Sequence, residues 1–313
     1  TADMRTRGWE LSVNWRDQIG KVGYRVGFNL SDSQSKIVKY NSNESGILTS
    51  ALSNGSTFWN YYEGKDLGEI WGYEYDGFYT VDDFTDTSSW KLKEGVPSID
   101  GYNPRPGDVK FKNLKDDDRG TNMISSGDNT VSNPGDRKVI GNNTPRYLYG
   151  ITLGANFKGF DLNVFMQGTG KRDAWIANNL KFPLYSDFKF IALYKDLGNY
   201  WKPVDAANGD YTAANPNAEF PRIYGNYGNQ GSNYRQSDKY LSDASYFRIK
   251  NVTLSYTFPK AWITKASLSQ LKAFVSIENL ATFSSLPKGI DPETLSWNYP
   301  AFRTVSFGLN VTL

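Results

Sequence analysis

An unbroken alternation of apolar and polar residues closes the chain and limits what it can fold into. Across residues 305–313, Val305, Phe307, Leu309, Val311 and Leu313 share one parity, and Ser306, Gly308, Asn310 and Thr312 share the other. Successive side chains of an extended backbone point to opposite faces, so this pattern specifies a strand with one apolar and one polar side. Leu271, Ala273, Val275 and Ile277 repeat it upstream. So do Val252, Leu254, Tyr256 and Phe258, set against Asn251, Thr253, Ser255 and Thr257. Each run is about ten residues long, where strands usually have roughly five to six. A tilted strand of that length crosses the hydrocarbon layer of a membrane.

Two more hairpins precede these strands. Trp9, Leu11, Val13 and Trp15 alternate with polar residues up to a turn expected through Asp17, Gln18, Ile19 and Gly20. Val22, Tyr24, Val26, Phe28 and Leu30 lead back. Tyr147, Tyr149, Ile151, Leu153 and Ala155 then turn at Lys158-Gly159 into Phe160, Leu162, Val164 and Met166. Any one hairpin taken alone also fits a half-exposed soluble sheet, because alternation is general to antiparallel strands.

The connections discriminate. Long polar stretches, residues 32–143 and 171–242, alternate with short turns, the third running through Pro259, Lys260, Ala261, Trp262 and Ile263. A moderate loop with Asp291-Pro292-Glu293 and Trp297-Asn298-Tyr299 leads to the last strand. Long outward loops and short periplasmic turns are the topology of outer-membrane barrels. About seven strands cannot close such a barrel, and an open edge in lipid leaves backbone groups unpaired. The expectation is therefore an all-β, transmembrane antiparallel β-barrel of which residues 1–313 form the C-terminal portion, with further strands before Thr1. A closed barrel made of these residues alone would contradict it.

Composition narrows the chemistry. The 313 residues contain no Cys and no His, which removes thiolate chemistry, disulfides, the commonest general base and the commonest metal ligand. A net charge of +2 implies no strong electrostatic partner and argues against nucleic acid. No apolar run approaches the length of a membrane helix, so a membrane crossing must use strands. Aromatic residues make up 15%, which suits interfacial girdles or sugar-stacking loops. There is no nucleophile–base pair, phosphate loop or dinucleotide fingerprint, and the reading is of a protein that is not an enzyme and takes no cofactor.

Several motifs resemble one known family. The stretch Tyr246-Phe247-Arg248-Ile249-Lys250-Asn251-Val252-Thr253-Leu254 is similar to the signature strand of SusC/RagA-type TonB-dependent transporters. Val275-Ser276-Ile277-Glu278-Asn279-Leu280 and Gly289-Ile290-Asp291-Pro292-Glu293 match in the same way. Arg7-Gly8-Trp9, Leu67-Gly68-Glu69-Ile70-Trp71-Gly72-Tyr73, Pro106-Gly107-Asp108-Val109 and Ile140-Gly141-Asn142-Asn143 follow in family order over nearly the whole chain. The resemblance implies the last strands of a plugged barrel of about 22 strands, with plug and N-terminal extension absent from these residues. It implies active import across the outer membrane of a Gram-negative bacterium, of an oligosaccharide or in some branches a peptide. A SusD-like surface lipoprotein and TonB would be the partners, TonB acting through the missing N-terminal region.

Three sets of residues stand out. Trp59, Tyr61, Tyr62, Trp71, Tyr73 and Tyr75 can stack on sugar faces, with Asp76 among the hydroxyl-binding neighbours; packing within a folded loop, or contact with the lipoprotein, explains the same aromatics. Ser306, Gly308, Val311 and Leu313 resemble the assembly signal read by the outer-membrane insertion machinery, with Leu313 where an aromatic residue is usual. An ordinary edge strand with a bend-marking Gly is the alternative reading. Asn113, Lys115, Asp116, Asp117 and Asp118 lie where some family members carry a cation loop, but Lys115 and Arg119 break the ligand pattern, so a solvated acidic loop and no metal site is expected. Two other functions compete with import: a structural or adhesive barrel without energised transport, and a secreted soluble domain that binds carbohydrate.

Overall fold

The computed structural model describes residues 2–51, 57–99, 101–115, 122–176, 182, 195, 198–223, 232–295 and 301–313. Seven long strands dominate it: β1 (Ala2–Ile19), β2 (Val22–Tyr40), β3 (Arg146–Phe157), β4 (Phe160–Lys171), β5 (Tyr246–Thr257), β6 (Gln270–Ser284) and β7 (Thr304–Thr312). They pair in chain order as one seven-stranded sheet with β1 and β7 at its edges. Every pairing whose register is defined is antiparallel.

The registers align the two faces across the sheet. One transverse row reads Val26, Leu153, Val164, Val252, Ile277 and Val305. The next reads Tyr24, Ala155, Leu162, Leu254, Val275 and Phe307. On the opposite face Arg25, Gly154, Asn163, Thr253, Ser276 and Ser306 stand side by side. A slip of one residue in any pair would mix the faces, so the period-two pattern enforces the register.

The apolar face is bare. Leu153 is 39% exposed, Leu254 42%, Val305 50% and Phe307 81%, values that no sandwich core would leave. A contiguous apolar surface of this extent marks a face built for a non-aqueous neighbour. Aromatic rings collect at both ends of it. Phe160 packs on Tyr256 with centroids 4.6 Å apart, Tyr256 on Phe258 at 5.1 Å and Phe258 on Trp262 at 6.4 Å; Phe247 stacks on Phe283 at 6.0 Å at the other end. From Phe157 to Tyr147 the strand covers about 33 Å, and a tilt of about 40° leaves about 25 Å of height, matching the apolar band of membrane barrels.

Local chemistry sets the turns. Lys158 and Gly159 join β3 to β4 with φ of 46° and 90°, the positive-φ pair of the tightest hairpin turns. The first hairpin turns only at Gly20-Lys21, because β1 continues to Ile19 through the residues expected to turn. The third connection holds a four-residue helix, α1 (Lys260–Ile263), and a 3-10 turn, Thr264–Ala266. A bulge at Lys250 reconciles two conflicting phases in β5. Ile249 pairs with Met166 and Asn251 with Phe165, so Ile249 and Val252 share the apolar face although three positions apart. Across the bulge Asn279 takes φ 50°, a conformation Asn tolerates better than most residues.

Chain contacts divide the molecule into two compact units. The strands contribute Thr6–Ser35, Thr144–Asp173 and Asp243–Leu313 to one; Thr1–Arg5, Lys36–Asn143 and Ala174–Ser242 form the other. The second unit holds most of the two long connections, and these are not bare loops. Glu69–Tyr73 pairs with Arg137–Asn142, and Tyr75–Phe78 with Val109–Phe111. Tyr73, Ile99, Val109, Phe111 and Ile124 make one buried cluster, and Phe182, Phe220, Tyr234 and Tyr240 another. β2 runs to Tyr40, past the Asp32 where the first connection was expected to start.

Candidate functional site

On the polar face of the sheet, a turn is fastened by buried charge. Arg248 of β5, only 2% exposed, donates to Asp291 at 2.8 Å, Glu293 at 2.7 Å and Thr282 at 2.8 Å. Glu293 also accepts from Lys250 at 3.2 Å, from the Tyr246 hydroxyl at 3.3 Å and from Gln167. Arg172 donates to the carbonyls of Pro292 and Glu293 at 3.0 and 3.1 Å. The bulge at Lys250 keeps Arg248, Lys250 and Asn251 together on this face. Two motifs distant in sequence thus meet as one ion-paired unit. With both carboxylates answered by cations, the cluster is a fastening and not an acid–base pair.

Within the second unit, the turn Pro106-Gly107-Asp108 is the organising element. Asp108 is fully buried and accepts from Arg222 Nε at 2.9 Å, Asn233 Nδ2 at 3.0 Å and the Arg105 backbone at 2.8 Å. Asn233, equally buried, accepts from the Val109 backbone at 2.8 Å. Gly107, at φ 88°, lies against the Trp201 indole, where a β-carbon would overlap the ring. Its amide donates to Tyr79, and its carbonyl accepts from Arg222. Burial raises the Tyr79 hydroxyl above its ordinary pKa, and it donates to the Pro97 carbonyl at 2.5 Å.

On this scaffold rests a cavity of about 460 Å³. Its aromatic walls are Trp90, Tyr200, Trp201 and Tyr211, and its cations are Arg105, Lys202 and Arg222. Trp90 and Tyr211 stand perpendicular with centroids 4.8 Å apart. The Arg105 guanidinium lies 5.8 Å from the Trp90 ring, and the Lys202 ammonium 4.5 Å from that of Tyr200. No carboxylate lines the cavity among the described residues. Its size falls in the range of small-ligand pockets, and its mix of rings and a few convergent polar groups is typical of them.

The aromatics singled out in the sequence sit elsewhere. Tyr62 and Trp71 are buried with Leu48, Trp59 packs on them, and Trp71 donates to the Tyr62 hydroxyl at 3.0 Å. Tyr73 lies in the cluster around Phe111, and Tyr75 packs against it, half-buried under the Lys239 ammonium at 4.1 Å. Tyr61 and Asp76 are exposed. Packing therefore occupies Tyr62, Trp71 and Tyr73, and none of the seven lines the cavity. Of the cavity residues only Pro106 belongs to a motif read in the sequence; Trp90, Arg105, Trp201 and Lys202 carry no periodic signal. Asp116, Asp117, Asp118, Trp297, Asn298 and Tyr299 lie outside the described residues. Ser306 and Val311 pair with Ser276 and Leu271 on edge strand β7, Leu313 follows it almost fully exposed, and Gly308 lies under the Phe274 ring.

No protein-family model matches the chain. It is 28% identical over 330 residues to TonB-dependent receptor P3 of Formosa agariphila, covering 99% of this chain and 29% of that protein. TonB-dependent receptors P26 and P39 of the same organism are each 22% identical over nearly the same span. Among solved structures, the RagAB peptide transporter superposes with a TM-score of 0.63 at 18% identity, over 99% of this chain and 29% of that one. The RagAB peptide importer in its open-open state gives 0.60 over the whole of this chain. The chain thus spans less than a third of the length of the curated relatives it matches. The resemblance to SusC/RagA-type TonB-dependent transporters is borne out, and the sheet is wall of an outer-membrane β-barrel.

Proposed function

We propose that this stretch of barrel serves TonB-dependent active import of an oligosaccharide across the outer membrane, with a SusD-like lipoprotein at the surface. The bare apolar face carries the reading. Rows from Val26 to Val305 and from Tyr24 to Phe307 turn hydrocarbon outward, while the opposite rows hold a polar lining tied by Arg25, Asn163, Thr253 and Ser276. A secreted soluble domain would have to wet that face at large cost. The two sheet edges accept further strands, as closure in lipid demands.

The folded second unit favours import over a purely structural barrel. It builds a ligand-sized cavity on a buried Asp108–Arg222 support, which adhesion alone does not require. Ser306, Gly308, Val311 and Leu313, at the end of an edge strand, suit a role in assembly. A second reading, peptide import, draws on the structural neighbours, which are peptide transporters by name.

Uptake of labelled oligosaccharides and peptides by cells making the intact receptor tests both. The expected result is oligosaccharide uptake that stops when the proton gradient is collapsed or TonB is deleted. Gradient-dependent uptake of peptides alone would favour the second reading, and uptake indifferent to TonB would remove both.

A further inference from the structure

Building on the import reading, we propose that the cavity bounded by Trp90, Arg105, Tyr200, Lys202 and Tyr211 is a subsite for an acidic sugar, a ring carrying carboxylate or sulfate. Charge argues first. Arg222 is answered by buried Asp108, whereas among the described residues the guanidinium of Arg105 meets only the Pro104 carbonyl and the Trp90 ring. The Lys202 ammonium meets the Tyr200 ring. Neither Arg105 nor Lys202 has a carboxylate partner among the described residues, so the cavity holds two uncompensated positive charges on different segments. An anion entering it gains two charge-assisted hydrogen bonds, one of them to a planar fork that matches carboxylate or sulfate oxygens.

The walls argue next. Sugar rings present flat C–H faces that pack on aromatic rings, and four aromatic residues line this space. Trp90 is held at φ 52°, a conformation a bulky residue adopts only when its surroundings impose it, and such strain gathers at ligand sites. Its turn is closed by Phe84 with Leu92, and its ring packs on Phe84, Arg105 and Tyr211. Pro106 and Pro203 also line the cavity and have no N–H to donate. A peptide bound by strand addition relies on such main-chain donors, which turns the choice toward sugar.

Calorimetric titration of the intact receptor in detergent tests the subsite. The probes are trigalacturonate, a sulfated galactan tetrasaccharide, neutral maltotriose and an Asp-rich tripeptide. At low salt at least one acidic sugar should bind about tenfold or more tighter than maltotriose, a margin that shrinks as salt rises. Arg105→Gln and the exposed Lys202→Gln should each erase most of that margin, by weakening the acidic sugar far more than maltotriose. Equal binding of acidic and neutral sugars, no binding by either acidic sugar, indifference to both substitutions, or tighter binding of the acidic peptide would each overturn the proposal. Uptake measured in parallel separates the two readings. TonB-dependent uptake without charge preference removes the subsite alone, and charge-selective binding without energised uptake removes import alone.

Discussion

The two units of this chain solve opposite problems with similar residues. The strand unit leaves its Val, Leu and Phe side chains uncovered, Phe307 at 81%, and hides charge instead, with Arg248 at 2%. The connection unit covers its apolar side chains instead, and buries charge such as Asp108 as well. Phe111, Phe182 and Leu48 are sealed at 1% or less, while Lys112 and Lys138 reach Glu74 at its surface. Water is the solvent for one and lipid for the other. An aqueous core forms by expelling apolar surface from water; a wall in lipid needs only its backbone paired and its polar side satisfied. The same aromatic content therefore makes a belt in one unit and a core in the other.

The contrast can be broken most forcefully at Arg248. Arg248→Leu strands Asp291 and Glu293 against the polar face, and should lower wall stability by about 3–5 kcal/mol in urea titrations of the receptor in bilayers. Unaltered stability would mean that the fastening contributes nothing. Next, Leu153→Arg places a cation in the middle of the bare apolar face, with an expected loss of about 2–4 kcal/mol in bilayers. The same change should be nearly silent if that face meets water, which makes it the sharpest test of the contrast. In the other unit, Gly107→Ala forces a β-carbon into the Trp201 ring at φ 88°; a loss of about 1–3 kcal/mol, seen as faster proteolysis within residues 174–242, is expected with the strands intact.

The smallest effect concerns pH. Hydrogen bonds from Lys112 and Lys138 hold the Glu74 carboxyl at about 2, below its ordinary 4.5. A lowered folded-state pKa gives a contribution that is complete above 4.5 and fades as pH falls toward 2. Near-ultraviolet dichroism of the second unit should weaken slightly over that window, and Glu74→Gln should remove this increment. A transition of equal size in the variant would assign it to other carboxylates.

The strand unit was legible in the sequence because alternation is local. Val305 to Leu313 states its own faces, whereas the bulge at Lys250 comes only with the pairing of its neighbours. The connection unit was not, since its order comes from pairs such as Asp108 with Arg222 and Gly107 with Trp201, more than ninety positions apart and without period. The close run of Trp59, Tyr61, Tyr62, Trp71, Tyr73 and Tyr75 fits ligand stacking and a small aqueous core alike. Burial assigns Tyr62, Trp71 and Tyr73 to the core. Trp90 gave no warning: its positive φ lies in a short turn closed by Phe84 with Leu92 and by Thr85 with Lys91, and no period marks it.

Glycines on the polar face have a consequence for width. Gly23 faces Asn156, Gly27 faces Asn14, Gly150 faces Asn29, Gly154 faces Arg25 and Gly308 faces Phe274, each a vacancy into which a neighbouring strand lays a side chain flat. Side chains that recline take up little radius. At these positions the wall keeps a low profile on its polar face.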